Sequence, residues 1–282
     1  MKYGIPYMGS KSKIADAIIS ALPAGKRFVD LFGGGFAMSH CALLSNKYER
    51  VLYNEINPLL PDLVRRAIKG DISYEWVSRE EFHRRKDTDG LVKYLWSFGN
   101  NGVDYLFGED IEDIKRAGHE YVVHGTPIKG ITFPTQTSLI PSSYKDRRRE
   151  LQQASIYELK RCQALERLEQ LQRLERLEQL QRLEIKCGSY TEYQYQDGDV
   201  VYCDPPYADT RGYNGVVSDF DNGAFFDWVA SRDYVVYMSH YPLNDDRFYK
   251  FWSIPKLQTI SHRSRSFREE CIYVQLSFAE MA

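Results

Sequence analysis

Asp204-Pro205-Pro206-Tyr207 is the segment of this chain best equipped for chemistry, and it directly follows an apolar run, Val200 to Cys203. In an open parallel sheet, ligands bind beyond the carboxyl ends of the strands, which is where such a segment falls. An exocyclic amine conjugated with an aromatic ring, such as that of adenine, is a poor nucleophile and too weak an acid to be deprotonated beforehand. Two acceptors aimed at its N–H bonds draw the nitrogen toward a tetrahedral, nucleophilic shape. Asp204 offers one acceptor and the backbone carbonyl of Pro205 a second, on a chain that Pro205 and Pro206 stiffen. Tyr207 is suited to stack on a base extruded from a duplex. A plain Pro-Pro turn with a capping aspartate would have the same spelling.

Two further segments contribute groups of the right kind. Phe28-Val29-Asp30-Leu31-Phe32-Gly33-Gly34-Gly35 runs from an apolar strand into glycines. Glycines between strand and helix let a ligand approach the backbone, and a helix N-terminus favours an anionic group. Glu55 follows the next strand at about the twenty-residue separation expected of an acid that binds ribose hydroxyls. Together they suggest a nucleotide-type site, although the glycine spacing does not suit a pyrophosphate. Near the start, Pro6-Tyr7-Met8-Gly9-Ser10-Lys11 precedes a helical stretch, Ile14 to Ala21. This turn either holds a carboxylate or serves as a helix start with Ser12 as N-cap.

The elements that must position these groups read as α/β. Strand 28–32, helix 36–44, strand 50–53 and a helix running from Asn57-Pro58 through Ile68 alternate as a parallel sheet requires. After residue 185 the order returns, with strand 199–203, helix 225–229, strand 234–239 and a last strand at 271–276. Between them, 71–150 is polar, with glycine-rich loops at 99–102 and 125–127, and reads as an insertion. Leu165 to Arg173 then recurs perfectly as Leu174 to Arg182, with Leu at every third position up to Leu183. Its Leu, Glu, Gln and Arg residues favour helix, which over 151–184 would span about 50 Å. A step of three drifts about 60° per leucine on an α-helix, so the stripe winds around it. That suits packing against several neighbours, simple expansion of a repeated DNA segment, or a partner-binding coil, and a 3₁₀ stretch would also match.

The 282 residues are 43% hydrophobic, enough for a core and incompatible with a disordered tail. A net charge of -2 disfavours nonspecific nucleic-acid binding over the whole surface. Local basic clusters remain, at Arg84-Arg85-Lys86, at Arg147-Arg148-Arg149, and at Arg263, Arg265 and Arg268. The five cysteines form no Cys-x-x-Cys pair and no zinc-type spacing, so no metal is expected, and they suit a reducing compartment. With no signal peptide and no apolar run of membrane-spanning length, the expected location is the cytoplasm.

Four motifs in order, Tyr7-Met8-Gly9-Ser10-Lys11, Asp30-x-Phe32-Gly33-Gly34-Gly35, Asn54-Glu55-Ile56-Asn57 and Asp204-Pro205-Pro206-Tyr207, resemble the Dam-type DNA adenine methyltransferases, phage-encoded members included. The resemblance covers roughly residues 3–70 and 185–282. It implies a Rossmann-like, S-adenosylmethionine-dependent methyltransferase sheet in a discontinuous catalytic domain, 1–70 and 185–282. The inserted region, 71–150, occupies the place of target recognition, and a Leu-rich helix at 151–184 leads back to the core. It also implies sequence-specific methyl transfer to N6 of a flipped adenine in double-stranded DNA, inside a bacterial or phage-infected cell, within a restriction–modification system or as an orphan phage enzyme. Tyr7 and Lys11 would border the methionine part of the cofactor, Asp30 its amino group, and Phe32, Gly33 and Gly35 the loop. Glu55 would bind the ribose, Ser189 and Tyr190 would border the cofactor adenine, and Asp204 would reach both cofactor and base. Arg147, Arg148, Arg263, Arg265 and Arg268 are candidates for DNA contact, and the segment 265–270 looks like a late loop near the target base. Glu55 stands where the family more often has Asp. Methyl transfer to RNA or to a protein amide, and a catalytically decayed DNA-binding or assembly protein held to a partner by the repeat, stay open as alternatives.

Overall fold

The computed structural model describes residues 2–131, 140–207, 220–261 and 264–278, with 256–268 as backbone alone. The strands are β1 (Gly25–Asp30), β2 (Tyr48–Asn54), β3 (Leu183–Lys186), β4 (Asp199–Cys203), β5 (Val236–His240), β6 (Phe248–Ser261) and β7 (Ser264–Gln275). They form one seven-stranded sheet in the order β3-β2-β1-β4-β5-β7-β6. The first five of that order are parallel, and β7 runs antiparallel to both β5 and β6. The helices follow in chain order as α1 (Ala15–Ala21), α2 (Ala37–Ser45), α3 (Leu59–Ile68), α4 (Arg79–Arg85), α5 (Gly90–Leu95), α6 (Glu109–His124), α7 (Tyr144–Gln152), α8 (Tyr157–Lys160), α9 (Gln163–Gln172) and α10 (Asn222–Ala230). The parallel α/β order is the one that the strand–helix alternation predicts, and the architecture is the Rossmann-like one that the resemblance implies.

The chain folds into two compact units. One comprises Met1–Gly4, Gly9–Val64 and Leu177–Ala282 and carries the sheet. Its central strands are buried on both faces, β5 at every residue and the last four residues of β1 and of β4 likewise. Continuous apolar runs are what such positions require. Val29, Val201, Val236 and Met238 pack with Phe225 and Val229 of α10 in the core of this unit. The other unit comprises Ile5–Met8 and Arg65–Arg176. It is helical, with Trp76, Trp96, Phe107 and His119 in ring contact at its centre. Its helix starts are written in the sequence: Ser78 and Glu81 form a reciprocal capping box on α4, Asp89 caps α5 and Ser143 caps α7.

Three sequence expectations need correction. The repeat is not one helix over 151–184. The first copy is α9, and the second breaks into 3₁₀ turns at Leu174–Arg176 and Leu180–Arg182 before entering β3. A step of three carries leucines off any one face of an α-helix, whereas tightening to three residues per turn keeps them in register. Leu165, Leu168 and Leu171 of α9 and Leu174 of the first 3₁₀ turn are all fully buried within the chain. Ser12 does not cap α1. The N-cap position is Ile14, without a side-chain bond, and the Ser12 oxygen accepts instead from the Tyr3 N–H. Residues 265–270 are not a loop but part of β7, which with β6 forms a long hairpin that the sequence did not announce.

Candidate active site

The sheet order reverses between β1 and β4, and an acid stands at the carboxyl end of each strand around that point. Asp30 is the last residue of β1, Glu55 directly follows β2 and Asp204 directly follows β4. Such a switch point opens a crevice where ligands bind. Burial pushes the Asp30 carboxyl up to about 7; the Ser39 hydroxyl, donating to it over 2.7 Å, opposes the rise, and the nearby charges of Asp204 and Glu55 add to it. Burial also raises Glu55, against hydrogen bonds from backbone N–H groups. The charges of Glu55 and Asp204 thus hinder the ionisation of Asp30, which suits this site to a cation.

The glycine turn is tied to these acids through the backbone. Gly34 N–H donates to Glu55 Oε2 at 2.8 Å, and Asn57 N–H to Glu55 Oε1 at 2.9 Å. Gly33 N–H donates to the Asn54 carbonyl, and the Tyr53 hydroxyl to the Gly34 carbonyl, both at 2.8 Å. A Cβ on Gly33 would stand 2.2 Å from the Tyr53 ring. A Gly33→Ala variant is therefore expected to lose about 1–3 kcal/mol of stability, read as a lower thermal midpoint. Gly35 is held from the other side, its carbonyl lying where a side chain on Gly4 would have to go. Phe32 stacks on Tyr190, with centroids 5.2 Å apart, and Ser189 caps the short turn that begins at Tyr190. Asn54 Nδ2 donates to the carbonyls of Leu31 and Gly188, which joins this turn to the glycine loop. Ser39 positions the site without being singled out in the sequence, because a lone Ser carries no spacing signal, and Asn54, quoted only as part of its motif, proves to be the link between the two loops.

Asp204 sits in a buried polar network. Lys11 Nζ lies 2.7 Å from Asp204 Oδ1, 2.8 Å from the Tyr207 hydroxyl and 3.2 Å from Glu270 Oε1. Burial works to lower the Lys11 ammonium, but the charges of Asp204 and Glu270 outweigh it and hold the group above its usual range. The Tyr207 hydroxyl is 2.9 Å from Asp204 Oδ1, 3.0 Å from Ser239 Oγ and in close contact with Glu270 Oε1. Ser239 Oγ also donates to Glu270 Oε1 at 2.8 Å. The Tyr207 ring is 6% exposed and packs against His240 and Tyr241, at 4.8 and 4.6 Å. The ring is enclosed and the hydroxyl points into the network. Glu270 was missed as a site residue, although a signal existed. On β7 it shares a face with Ile272 and Val274, an acid on an otherwise buried apolar side. Pro205 is buried and Pro206 exposed beside them.

Tyr7 belongs to the helical unit, where its ring meets Tyr94 edge-on at 5.4 Å. Arg147 and Arg148 are buried and engaged, which removes them as DNA contacts. Arg147 donates to the carbonyls of Val122 and Val123 at the end of α6 and to those of Pro141 and Ser142, closing the helix terminus. Arg148 pairs with Glu166 and Glu169. An Arg147→Ala variant is expected to lose about 2–4 kcal/mol of stability, while the salt dependence of DNA binding by the folded fraction stays unchanged; calorimetry and a salt titration check this. Arg265 and Arg268 are placed only by backbone register on β7, opposite Thr259 and Lys256, and Arg263 lies outside the described residues. Among the described residues, no group of three or more His, Cys, Asp or Glu side chains is arranged to hold a metal ion, and no helix is long and apolar enough to cross a membrane.

The sequence matches the family model of the D12 class N6 adenine-specific DNA methyltransferases over residues 7–124 and 142–262. No curated protein matches it.

Proposed function

The chain belongs to the D12 class of N6 adenine-specific DNA methyltransferases, and on that premise we propose that it methylates N6 of an adenine swung out of double-stranded DNA at a specific sequence, with S-adenosylmethionine as donor. The observation that carries this reading is the placement of Asp204 just beyond β4, beside the switch point, with Asp30 and Glu55 at the neighbouring strand ends. That donor set fits S-adenosylmethionine, which carries two positive charges and a ribose diol. When bound, the cofactor supplies a methyl group activated on a sulfonium.

The chain's own residues do the rest. Asp30 receives the cationic amino group, and Glu55, already fixed by Gly34 and Asn57, receives the ribose hydroxyls. Phe32 and Tyr190 form an aromatic wall for the cofactor adenine. Asp204 accepts one N–H of the target amine and the Pro205 carbonyl the other, so the lone pair turns toward the methyl group. Nothing covalent forms on the protein. The rate comes from positioning and from charge placed where the nitrogen becomes positive. Residues 71–150 are proposed to read the target sequence, and Arg263, Arg265 and Arg268 to meet phosphates. Unmethylated genomic DNA and tritiated S-adenosylmethionine, followed by nucleoside separation, test the reading. Label in N6-methyladenine is expected; cofactor binding without label on DNA, with label on RNA or protein instead, would overturn it.

A further inference from the structure

We infer that Glu270 is a positioning residue for methyl transfer, one that keeps the charge of Lys11 and the proton of Tyr207 from disabling Asp204. The inference rests on Asp204 being the acceptor for the adenine amine. A carboxylate paired one-to-one with a buried ammonium is nearly neutralised and draws weakly on a third group. Lys11 faces two carboxylates, not one, at 2.7 and 3.2 Å. With Lys11 shared between Asp204 and Glu270, Asp204 keeps more of its own negative field than a single pair would leave it. That field meets the positive charge that develops on the amine as the methyl group arrives.

The hydroxyl proton of Tyr207 sharpens the point. A phenol has one proton to donate, and here both Asp204 Oδ1 and Glu270 Oε1 lie within reach of it. The Glu270 contact is the closer. Glu270 also accepts a hydrogen bond from Ser239 on the same oxygen. With Tyr207 committed to Glu270, Asp204 meets the amine carrying one hydrogen bond fewer. Glu270 is fully buried and arrives from β7, far from Asp204 in sequence, so it touches neither substrate nor cofactor in this reading and acts through Lys11 and Tyr207.

The test replaces Glu270 by its uncharged isostere. In E270Q the amide N–H₂ donates to the Tyr207 oxygen, which turns the Tyr207 proton onto Asp204. We expect single-turnover methyl transfer to fall about 10–100-fold with S-adenosylmethionine affinity within about twofold of wild type. Glu270→Asp should recover most of the rate. The decisive readout is the double variant. Tyr207→Phe removes the misdirected proton, so E270Q/Y207F should transfer faster than E270Q, whereas two merely structural losses would compound. A double variant slower than E270Q, or E270Q within twofold of wild type, overturns the inference. Should E270Q fail to fold, Ser239→Ala decides: it removes a donor that competes with Tyr207 for the same Glu270 oxygen, so turnover kept or raised, with cofactor affinity kept, supports the inference and a fall of about threefold or more overturns it. A wild-type chain that labels no adenine overturns the underlying reading and this one with it, whereas an active wild type beside an unimpaired E270Q overturns this one alone.

Discussion

An Asp204→Asn variant is expected to bind S-adenosylmethionine much as wild type does and to transfer the methyl group about 10²–10³-fold more slowly. The substitution keeps the shape and removes the charge. Asparagine can still accept one hydrogen bond from the target amine, but it places no negative charge beside a nitrogen that becomes positive as the new bond forms. It also leaves Lys11 paired with Glu270 alone, so the network turns from net negative toward neutral. The loss should fall on the rate of a single turnover and not on cofactor affinity, because Asp30 and Glu55 stand at other strand ends. Rapid-quench measurement of N6-methyladenine, beside equilibrium cofactor binding, separates the two. A variant that transfers at the wild-type rate would remove Asp204 from the mechanism.

Asp30→Asn carries the second large effect, and its sign differs between stability and binding. The Asp30 carboxyl is pushed up to about 7, first by burial, with the Ser39 hydrogen bond opposing and the charges of Asp204 and Glu55 adding. Its unfolded value lies near 4. Between the two the folded chain holds a proton that the unfolded chain has released, so stability contributed by this group falls as pH rises, by about 1.4 kcal/mol per unit at most, until it levels above 7. Cofactor binding runs the other way. A cation needs the ionised carboxylate, so affinity should rise about tenfold per unit up to pH 7 and flatten beyond, with a proton released on binding below that point. Asp30→Asn should abolish this pH dependence and weaken cofactor binding by about 10²-fold, while raising the thermal midpoint of the cofactor-free chain at pH 8. Isothermal titration in buffers of different ionisation enthalpy counts the proton. A wild-type affinity independent of pH from 6 to 8 would refute the assignment of Asp30 to a cationic group.

Much of the sheet was legible because buried parallel strands are spelled as unbroken apolar runs. Val200 to Cys203 and Val236 to Met238 are such runs, and Phe28 to Leu31 is one interrupted only by Asp30, each carrying at or near its end a polar or acidic residue that the fold then presents at one edge. β6 and β3 were not legible. Pro255 lies within β6 and argues against a strand, yet β6 is the edge strand of the sheet, where proline is tolerated. β3 overlaps the end of the leucine repeat, whose step of three hides the alternation of two that Leu183 to Lys186 follows. The basic run at 147–149 misled for a related reason. Local sequence shows charge but not burial, and the carbonyls that Arg147 satisfies come from α6 and from Pro141 and Ser142.

By itself the sequence determined the acids Asp30, Glu55 and Asp204, the glycines between strand and helix, and the order of the motifs, because each is a local pattern whose chemistry follows from residue type and spacing. Only the tertiary structure decided which groups surround Asp204. Lys11 comes from the turn before α1, Ser239 from β5 and Glu270 from β7, and no spacing rule links them. They meet because β4, β5 and β7 are neighbours in one sheet, and because ionic groups removed from water must find partners wherever the chain supplies them.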